Sequence, residues 1–168
     1  EAVVPAGEGV VRVACIYLPN GNPVGTEKYP YKLAFLERLI LHARQLLEYE
    51  EPLVLAGDFN VIPDARDVTR AEDWVNDALF LPQTRARFRE LLALGLTDAL
   101  RATTDAAGLY TFWDYQAGAW QKNNGLRIDH LLLSPEAADK LQSVTIDKEM
   151  RGRDKASDHT PVRVELAA

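Results

Sequence analysis

Val10 to Leu18 reads VVRVACIYL, apolar on both alternating faces except at Arg12. A run of this kind predicts a strand buried on both sides rather than one with a wet face. Pro19-Asn20-Gly21-Asn22-Pro23 ends it in a loop. From about Tyr31 to Tyr49, Leu33, Leu36, Leu39, Ile40, Ala43 and Leu47 recur at three- and four-residue steps. That spacing predicts an amphipathic helix. Pro52 stops the helix, and Leu53-Val54-Leu55-Ala56 predicts a short buried strand. Strand, helix, strand points to an α/β domain. A loop-rich stretch with Pro63 and Trp74 follows. A helix is predicted to open at Thr84, carry Phe88, Leu91 and Leu92 on one face, and close at Gly95. Tyr110 to Ile128 is aromatic and polar with little periodicity. Ile128–Leu133 predicts another strand, closed by Ser134-Pro135. A short helix, a strand near Val144–Ile146, a basic loop (Arg151, Arg153, Lys155) and a last strand, Val162–Leu166, complete the pattern. There is no internal repeat, low-complexity tract or interdomain linker.

The 168 residues are one domain's worth of chain, and 47% hydrophobic with 26% charged is the composition of a globular protein. The longest apolar runs are far too short to span a bilayer. The single cysteine, Cys15, cannot form an internal disulfide and reads as an inert buried thiol. A net charge of -6 argues against holding nucleic acid by bulk positive charge, though not against an enzyme that meets phosphate through a metal and local cations. The chain opens Glu1-Ala2-Val3-Val4, without Met or a signal-like segment, as if entered partway through a domain.

Four places offer chemistry, all at predicted strand ends. Asp58 and Asn60 flank Phe59. They are ordinary turn formers, or they set a carboxylate and an amide over one site. Asp129, in Arg127-Ile128-Asp129-His130, is a solvated strand end or the carboxylate that orients an imidazole. Ser157-Asp158-His159 is a local turn or a pair facing a metal and a phosphate. Tyr17 caps an edge or joins that site beside Asn20. Oxygen ligands with a free imidazole suit Mg²⁺ or Mn²⁺, and no zinc spacing is present. A Gly-rich phosphate loop, a G-x-S-x-G elbow and an H-E-x-x-H motif are all absent from the sequence. These residues suggest metal-assisted hydrolysis of a phosphate ester.

In order, Leu55-Ala56-Gly57-Asp58-Phe59-Asn60, Gly125-Leu126-Arg127-Ile128-Asp129-His130 and Ser157-Asp158-His159-Thr160-Pro161-Val162 resemble the endonuclease/exonuclease/phosphatase superfamily, the deoxyribonuclease I-like group. Tyr17-Leu18-Pro19-Asn20-Gly21, Tyr110-Thr111-Phe112-Trp113-Asp114-Tyr115 and the Gly-Leu-Arg before Ile128 resemble its exonuclease III branch of abasic-site endonucleases. The resemblance implies an α/β fold, a four-layer α/β sandwich. It implies a DNA repair nuclease that cuts double-stranded DNA at abasic sites, with 3′–5′ exonuclease and 3′-phosphatase activity, by metal-assisted in-line attack of water. Mg²⁺ is the implied metal, with Mn²⁺ as a substitute, and the implied location is the bacterial cytoplasm.

By the same resemblance, Asp58 aligns or deprotonates the water and Asn60 holds it or the phosphate. His159, oriented by Asp129, binds a phosphate oxygen, and Tyr17 donates to the same phosphate. Asp158 joins Asp58 and Asn60 at the metal. Asn20 touches the DNA backbone. Phe112, Trp113 and Leu126, with Arg127 beside them, form a small apolar pocket that excludes a base. The family's N-terminal Asn strand and the Gln-Glu pair with the principal metal ligand are missing from residues 1–168. The expectation is therefore the C-terminal portion of a single domain, inactive or nearly so alone, with exposed apolar surface that favours self-association. A superfamily relative acting on inositol phosphates or phospholipids is the alternative enzyme, and a non-catalytic nucleic-acid-binding module the alternative outside enzymes.

The basic residues are local. Arg85, Arg87 and Arg89 read as a solvated helix face, and Lys122 lies near the pocket. Arg151, Arg153 and Lys155 read as phosphate contacts that hold the backbone without reading sequence. Trp120 either packs or wedges into the duplex.

Overall fold

The computed structural model describes residues 1–7 and 9–167. Seven strands are present among them: β1 (Ala2–Ala6), β2 (Gly9–Tyr17), β3 (Leu53–Asp58), β4 (Thr97–Asp98), β5 (Asp129–Leu133), β6 (Leu141–Ile146) and β7 (Val162–Leu166). The α-helices are α1 (Lys28–Leu47), α2 (Pro82–Leu92), α3 (Ala99–Thr103) and α4 (Pro135–Ala138). A five-stranded sheet runs in the order β1-β2-β3-β5-β4, and β6 pairs with β7 in a second, two-stranded sheet. The predicted strand–helix–strand unit is β2-α1-β3, with the two strands parallel. None of the described helices is long and apolar enough to cross a membrane.

Strand alternation sorts the core. Ala14, Leu18, Leu53, Leu55 and Leu132 face α1 and α2, where they meet Leu36, Leu39, Ile40, Ala43, Phe88 and Leu91. Val54 and Leu133 project from the opposite face, onto Leu141, Val144, Val164 and Leu166 of the second sheet. The stack is therefore helix, sheet, sheet, each layer burying its apolar side against the next.

Two sequence expectations change here. β2 is not buried on both sides along its length: Val10 and Tyr17 are exposed, and Cys15 is an exposed thiol rather than a buried one. β6 and β7 cover Val11 on the other face and leave the far end of the strand uncovered. Thr84 is not the cap of α2. Pro82 takes the first turn, where its missing N–H is no loss, and Thr84 is buried with its Oγ1 donating to the Ala78 carbonyl at 2.7 Å. The edge strand β1 escaped prediction because five residues containing Pro5 carry almost no periodic signal.

An ion cluster under the sheet fixes β5. Arg127 is 2% exposed; its Nε donates to Asp67 at 2.6 Å and its Nη1 to Asp98 at 2.8 Å. Asp67 also accepts from Arg101. Burial pushes the Asp67 carboxyl up, but the bonds from Arg127 and Arg101 outweigh it and hold it below the usual carboxylate range. Arg127 Nη1 also lies 3.1 Å from His130 Nδ1. A guanidinium can only donate, so Nδ1 accepts and the His130 proton sits on Nε2, bonded to the Val61 carbonyl at 2.9 Å.

His130 is fully buried, and burial together with the Arg127 charge pushes it down to about 4. A base with a depressed folded pKa stabilises the fold above its unfolded value and loses that contribution as pH falls toward the folded one. Stability should fall between about pH 6.5 and pH 4, by at most about 3 kcal/mol from this group. Denaturation midpoints across that range should show a shallower slope in His130→Gln than in the wild type. Equal slopes would exclude His130 as a source of acid lability.

Candidate active site

Three neighbouring strands end together. In the register of the sheet, Tyr17 stands beside Asp58, and Asp58 opposite Asp129. Close approach of β2 to β3 depends on Gly57, at φ 139°. A Cβ there would lie 2.0 Å from the Ile16 carbonyl oxygen, so no side chain fits. This accounts for the Gly before Asp58: it lets the strands run together to the point where the carboxylate emerges.

Beyond Asp58 the chain bends back on itself. Asp58 Oδ1 accepts from the Asn60 backbone N–H at 2.8 Å, and its Oδ2 from Asn60 Nδ2 at 2.9 Å. Asn60 adopts φ 48°, a left-handed conformation that Asn tolerates better than most residues. Its Nδ2 also donates to the Leu18 carbonyl at 2.9 Å, and its Oδ1 accepts from Asn20 Nδ2 at 3.1 Å. The amide is thereby clamped between the ends of β2 and β3. Burial pushes Asp58 up to about 6 despite the Asn60 N–H, and the Asp129 charge adds to that.

On the other side of the cleft, Asp129 takes both ends of an orienting network. Thr111 Oγ1 donates to Asp129 Oδ2 at 2.6 Å, and the same oxygen accepts from the Ile128 and Asp129 backbone N–H groups at 3.2 Å. Asp129 receives His159 Nδ1–H at 2.9 Å. That bond fixes the tautomer and leaves Nε2 on the far side of the ring. The Asp129 bond raises the His159 pKa against an opposing effect of burial. Phe112 meets the imidazole edge-on, with ring centroids 5.0 Å apart.

The cleft between these groups has a volume of about 330 Å³. Tyr17, Asn20, Asp58, Asn60 and His159 form its polar side, and Phe112, Leu126, Ile128 and Trp74 its apolar side. The structure therefore gathers all the polar candidates but three: Asp129 lies behind His159, and neither Asp158 nor Arg127 lines the cleft. Asp158 Oδ1 is 3.5 Å from Ser157 Oγ, and its carbonyl accepts from the Trp113 N–H.

Several sequence expectations are corrected. Trp113 is buried in the core, its Nε1 donating to Asn123 Oδ1 at 3.2 Å. Adjacent residues of an extended segment face opposite ways, so Phe112 toward the cleft sends Trp113 inward. Arg127 belongs to the buried ion cluster and does not reach the pocket. Arg151 is buried as well, bonding the Trp113 carbonyl at 3.1 Å and lying over the Tyr115 ring. It is not free to hold phosphate, whereas Arg153 and Lys155 are exposed. Trp120 packs edge-on against Trp113, with ring centroids 5.1 Å apart. Lys122 is exposed and donates to the Ala117 carbonyl at 2.8 Å. On α2, Arg87 pairs with Glu90 at 2.7 Å, as befits a solvated face, while Arg85 bonds the Pro63 carbonyl and covers Phe80.

Three residues went unnoticed in the sequence. Thr111 orients Asp129, and nothing in the sequence around it signals that role. Trp74 sits in a loop without periodicity. Lys32 did carry a signal: it is the one charged residue within the α1 stripe Tyr29, Leu36, Leu39, Ile40 and Ala43.

The donor chemistry of Asp58, Asn60 and Asp158, carboxylate and amide oxygens, is that of a hard, hydrated divalent cation. Among the described residues no group of three or more His, Cys, Asp or Glu side chains is placed to enclose one. Of these donors, Asp58 and Asn60 line the cleft and Asp158 does not.

The Endonuclease/Exonuclease/phosphatase family model matches residues 1–159. An exodeoxyribonuclease of Bacillus subtilis is 32% identical over 155 residues, covering 92% of this chain and 59% of its own length. Exodeoxyribonuclease III of Haemophilus influenzae is 30% identical over 166 residues, covering 94% of this chain and 62% of its own length. The chain thus spans about three fifths of the length of these curated relatives. A solved structure of a 3′ phosphatase, NExo, from Neisseria, bound to product DNA hairpin, superposes with a TM-score of 0.91 at 37% identity. That match covers 94% of this chain and 62% of the Neisseria chain. With its deoxyribonuclease I-like α/β sandwich architecture, the chain belongs to the endonuclease/exonuclease/phosphatase family, in its exonuclease III branch.

Proposed function

We propose that the protein carrying this chain is a DNA repair nuclease that hydrolyses phosphodiesters at abasic sites and trims 3′ ends, as a nuclease and a 3′ phosphatase. The observation that carries this reading is the cleft itself. An oriented imidazole and a half-buried carboxylate line one cleft beside an apolar wall of Phe112, Leu126 and Ile128. An apolar wall suits the hydrocarbon face of a base-less deoxyribose, and selection against a base-bearing nucleotide at this wall is the corresponding expectation.

Each side chain has a role in attack on phosphorus. Asp58, raised to about 6, is ionised at neutral pH yet basic enough to orient water and take its proton. His159 Nε2 donates to a phosphate oxygen, and Asp129 supports the positive ring as negative charge builds. Tyr17, at the exposed end of β2, donates to the same phosphate, and Asn20 contacts the DNA backbone. Asp58, with Asn60 and Asp158, would hold Mg²⁺ or Mn²⁺, which when bound supplies neutralisation of phosphate charge. Arg153 and Lys155 contact backbone phosphates further along the duplex.

Because the described donors do not enclose a cation, the 168-residue chain alone is expected to bind Mg²⁺ weakly and to incise abasic duplex DNA barely above background. Incision by this chain alone at the rate of the complete protein would contradict that. The functional reading is tested by offering the complete protein an abasic oligonucleotide and a soluble inositol phosphate in parallel. Hydrolysis of the oligonucleotide alone is expected; preference for the inositol phosphate would sink the reading.

A further inference from the structure

Lys32 lies on α1 and is completely buried. Placing an ammonium there costs several kcal/mol unless its protons are well used, and a leucine or methionine would complete the apolar stripe without that cost. Among the described residues Lys32 forms no ion pair within 4 Å. Its Nζ donates to two main-chain carbonyls instead, that of Asn20 at 2.9 Å and that of Asn60. These are the two residues whose side-chain amides bond each other at the edge of the cleft. Burial lowers the Lys32 pKa to about 7, while the Asp77 and Asp58 carboxylates oppose that shift.

We propose that Lys32 is a positioning residue of the active site: its buried ammonium ties the chain after β2 to the chain after β3, and so sets Asn20 and Asn60 at the geometry the reaction needs. The proposal rests on the nuclease reading above. Two further features of the site support it. Asn60 is held at φ 48°, and a bond to its carbonyl fixes the orientation of the following peptide. Gly21, at φ 90°, follows Asn20 directly, and a Cβ on it would lie 2.7 Å from Lys32 Cδ. The lysine stem and the Gly21 backbone thus pack directly against each other. Asn22 extends the clamp by donating to Asp77 at 3.1 Å. The ammonium reaches no cleft surface of its own, so it acts through the two asparagines.

Lys32→Met in the complete protein keeps the stem and removes the donor. On abasic duplex DNA, kcat should fall about 10- to 100-fold, the scale of a displacement of about 1 Å in a reacting group. KM should change less than about threefold, since the duplex is held elsewhere. Lys32→Arg, which restores a donor, should recover part of kcat. The side-chain amide resonances of Asn20 and Asn60 should shift in Lys32→Met. An unchanged kcat in folded Lys32→Met, or a loss of kcat that only tracks the unfolded fraction, would overturn the proposal. If that variant fails to fold, the wild type decides. NMR correlations from the Lys32 Nζ protons to the Asn20 and Asn60 carbonyl carbons support the clamp, and their absence refutes it. Full activity in Asn60→Ala would instead strike the nuclease reading, and the proposal with it.

Discussion

Alanine in place of His159 should lower kcat on abasic duplex DNA by about 10²- to 10⁴-fold, the range for removal of a positioned donor or proton carrier. The geometry explains why the effect should be large. His159 presents one nitrogen to Asp129 at 2.9 Å, and Asp129 is itself held by Thr111. Phe112 fixes the tilt of the ring. The imidazole is thus preorganised before substrate arrives, and little reorganisation remains for the reaction itself. A water molecule in its place would carry neither the charge nor the orientation. Asp129→Asn should cost a comparable factor, because the ring stays in place but loses both its fixed tautomer and the support of its positive form. Steady-state kinetics on a single abasic duplex distinguish these outcomes. A His159→Ala enzyme within threefold of the wild type would show that the imidazole does not touch the reacting phosphate.

Arg127→Met should destabilise the fold by about 3–5 kcal/mol, the cost of removing one partner from a buried charge cluster. The methionine stem replaces volume but leaves the Asp67 and Asp98 carboxylates buried, with only Arg101 to serve Asp67. His130 loses the donor to its Nδ1 as well. Urea denaturation should show the midpoint moved far down. Among molecules that remain folded, KM for DNA should stay close to the wild-type value, because Arg127 does not reach the cleft. A stable variant with weakened DNA binding would instead return Arg127 to the DNA-contact role first expected for it.

That reversal shows what a sequence does and does not carry. The β2-α1-β3 unit was legible because continuous apolar runs flank a stretch with three- and four-residue spacing, and Pro19 and Pro52 mark the breaks. Asp58, Asn60, Tyr17 and His159 were legible because each sits at a strand end, and strand ends in an α/β sheet converge. Arg127 and Trp113 were misplaced for a common reason. Their neighbours Leu126 and Phe112 do face the cleft, and one step along an extended chain turns a side chain to the opposite side. The inward partners that receive them, Asp67, Asp98 and Asn123, lie 10 to 60 residues away in sequence. No local pattern announces such partners. Arg151 was read as a phosphate ligand on charge alone, and its partner, a main-chain carbonyl, has no sequence signature. The burial of β2 was overstated because an apolar run records what a strand could bury, and here one face of its end is open. Lys32 was the opposite case. Its position in the α1 stripe was visible, and a lone charge on an apolar helix face calls for a partner.

The central claim is that the cleft formed by Tyr17, Asp58, Asn60 and His159 against Phe112, Leu126 and Ile128 selects a base-less sugar in DNA. Its most direct test measures incision by the complete protein, with Mg²⁺, of a duplex carrying one abasic analogue beside an otherwise identical undamaged duplex. The account predicts cutting at the analogue at least about 10²-fold faster than within the undamaged duplex, as expected when a site rejects the wrong occupant by exclusion. Equal rates on the two duplexes would contradict it.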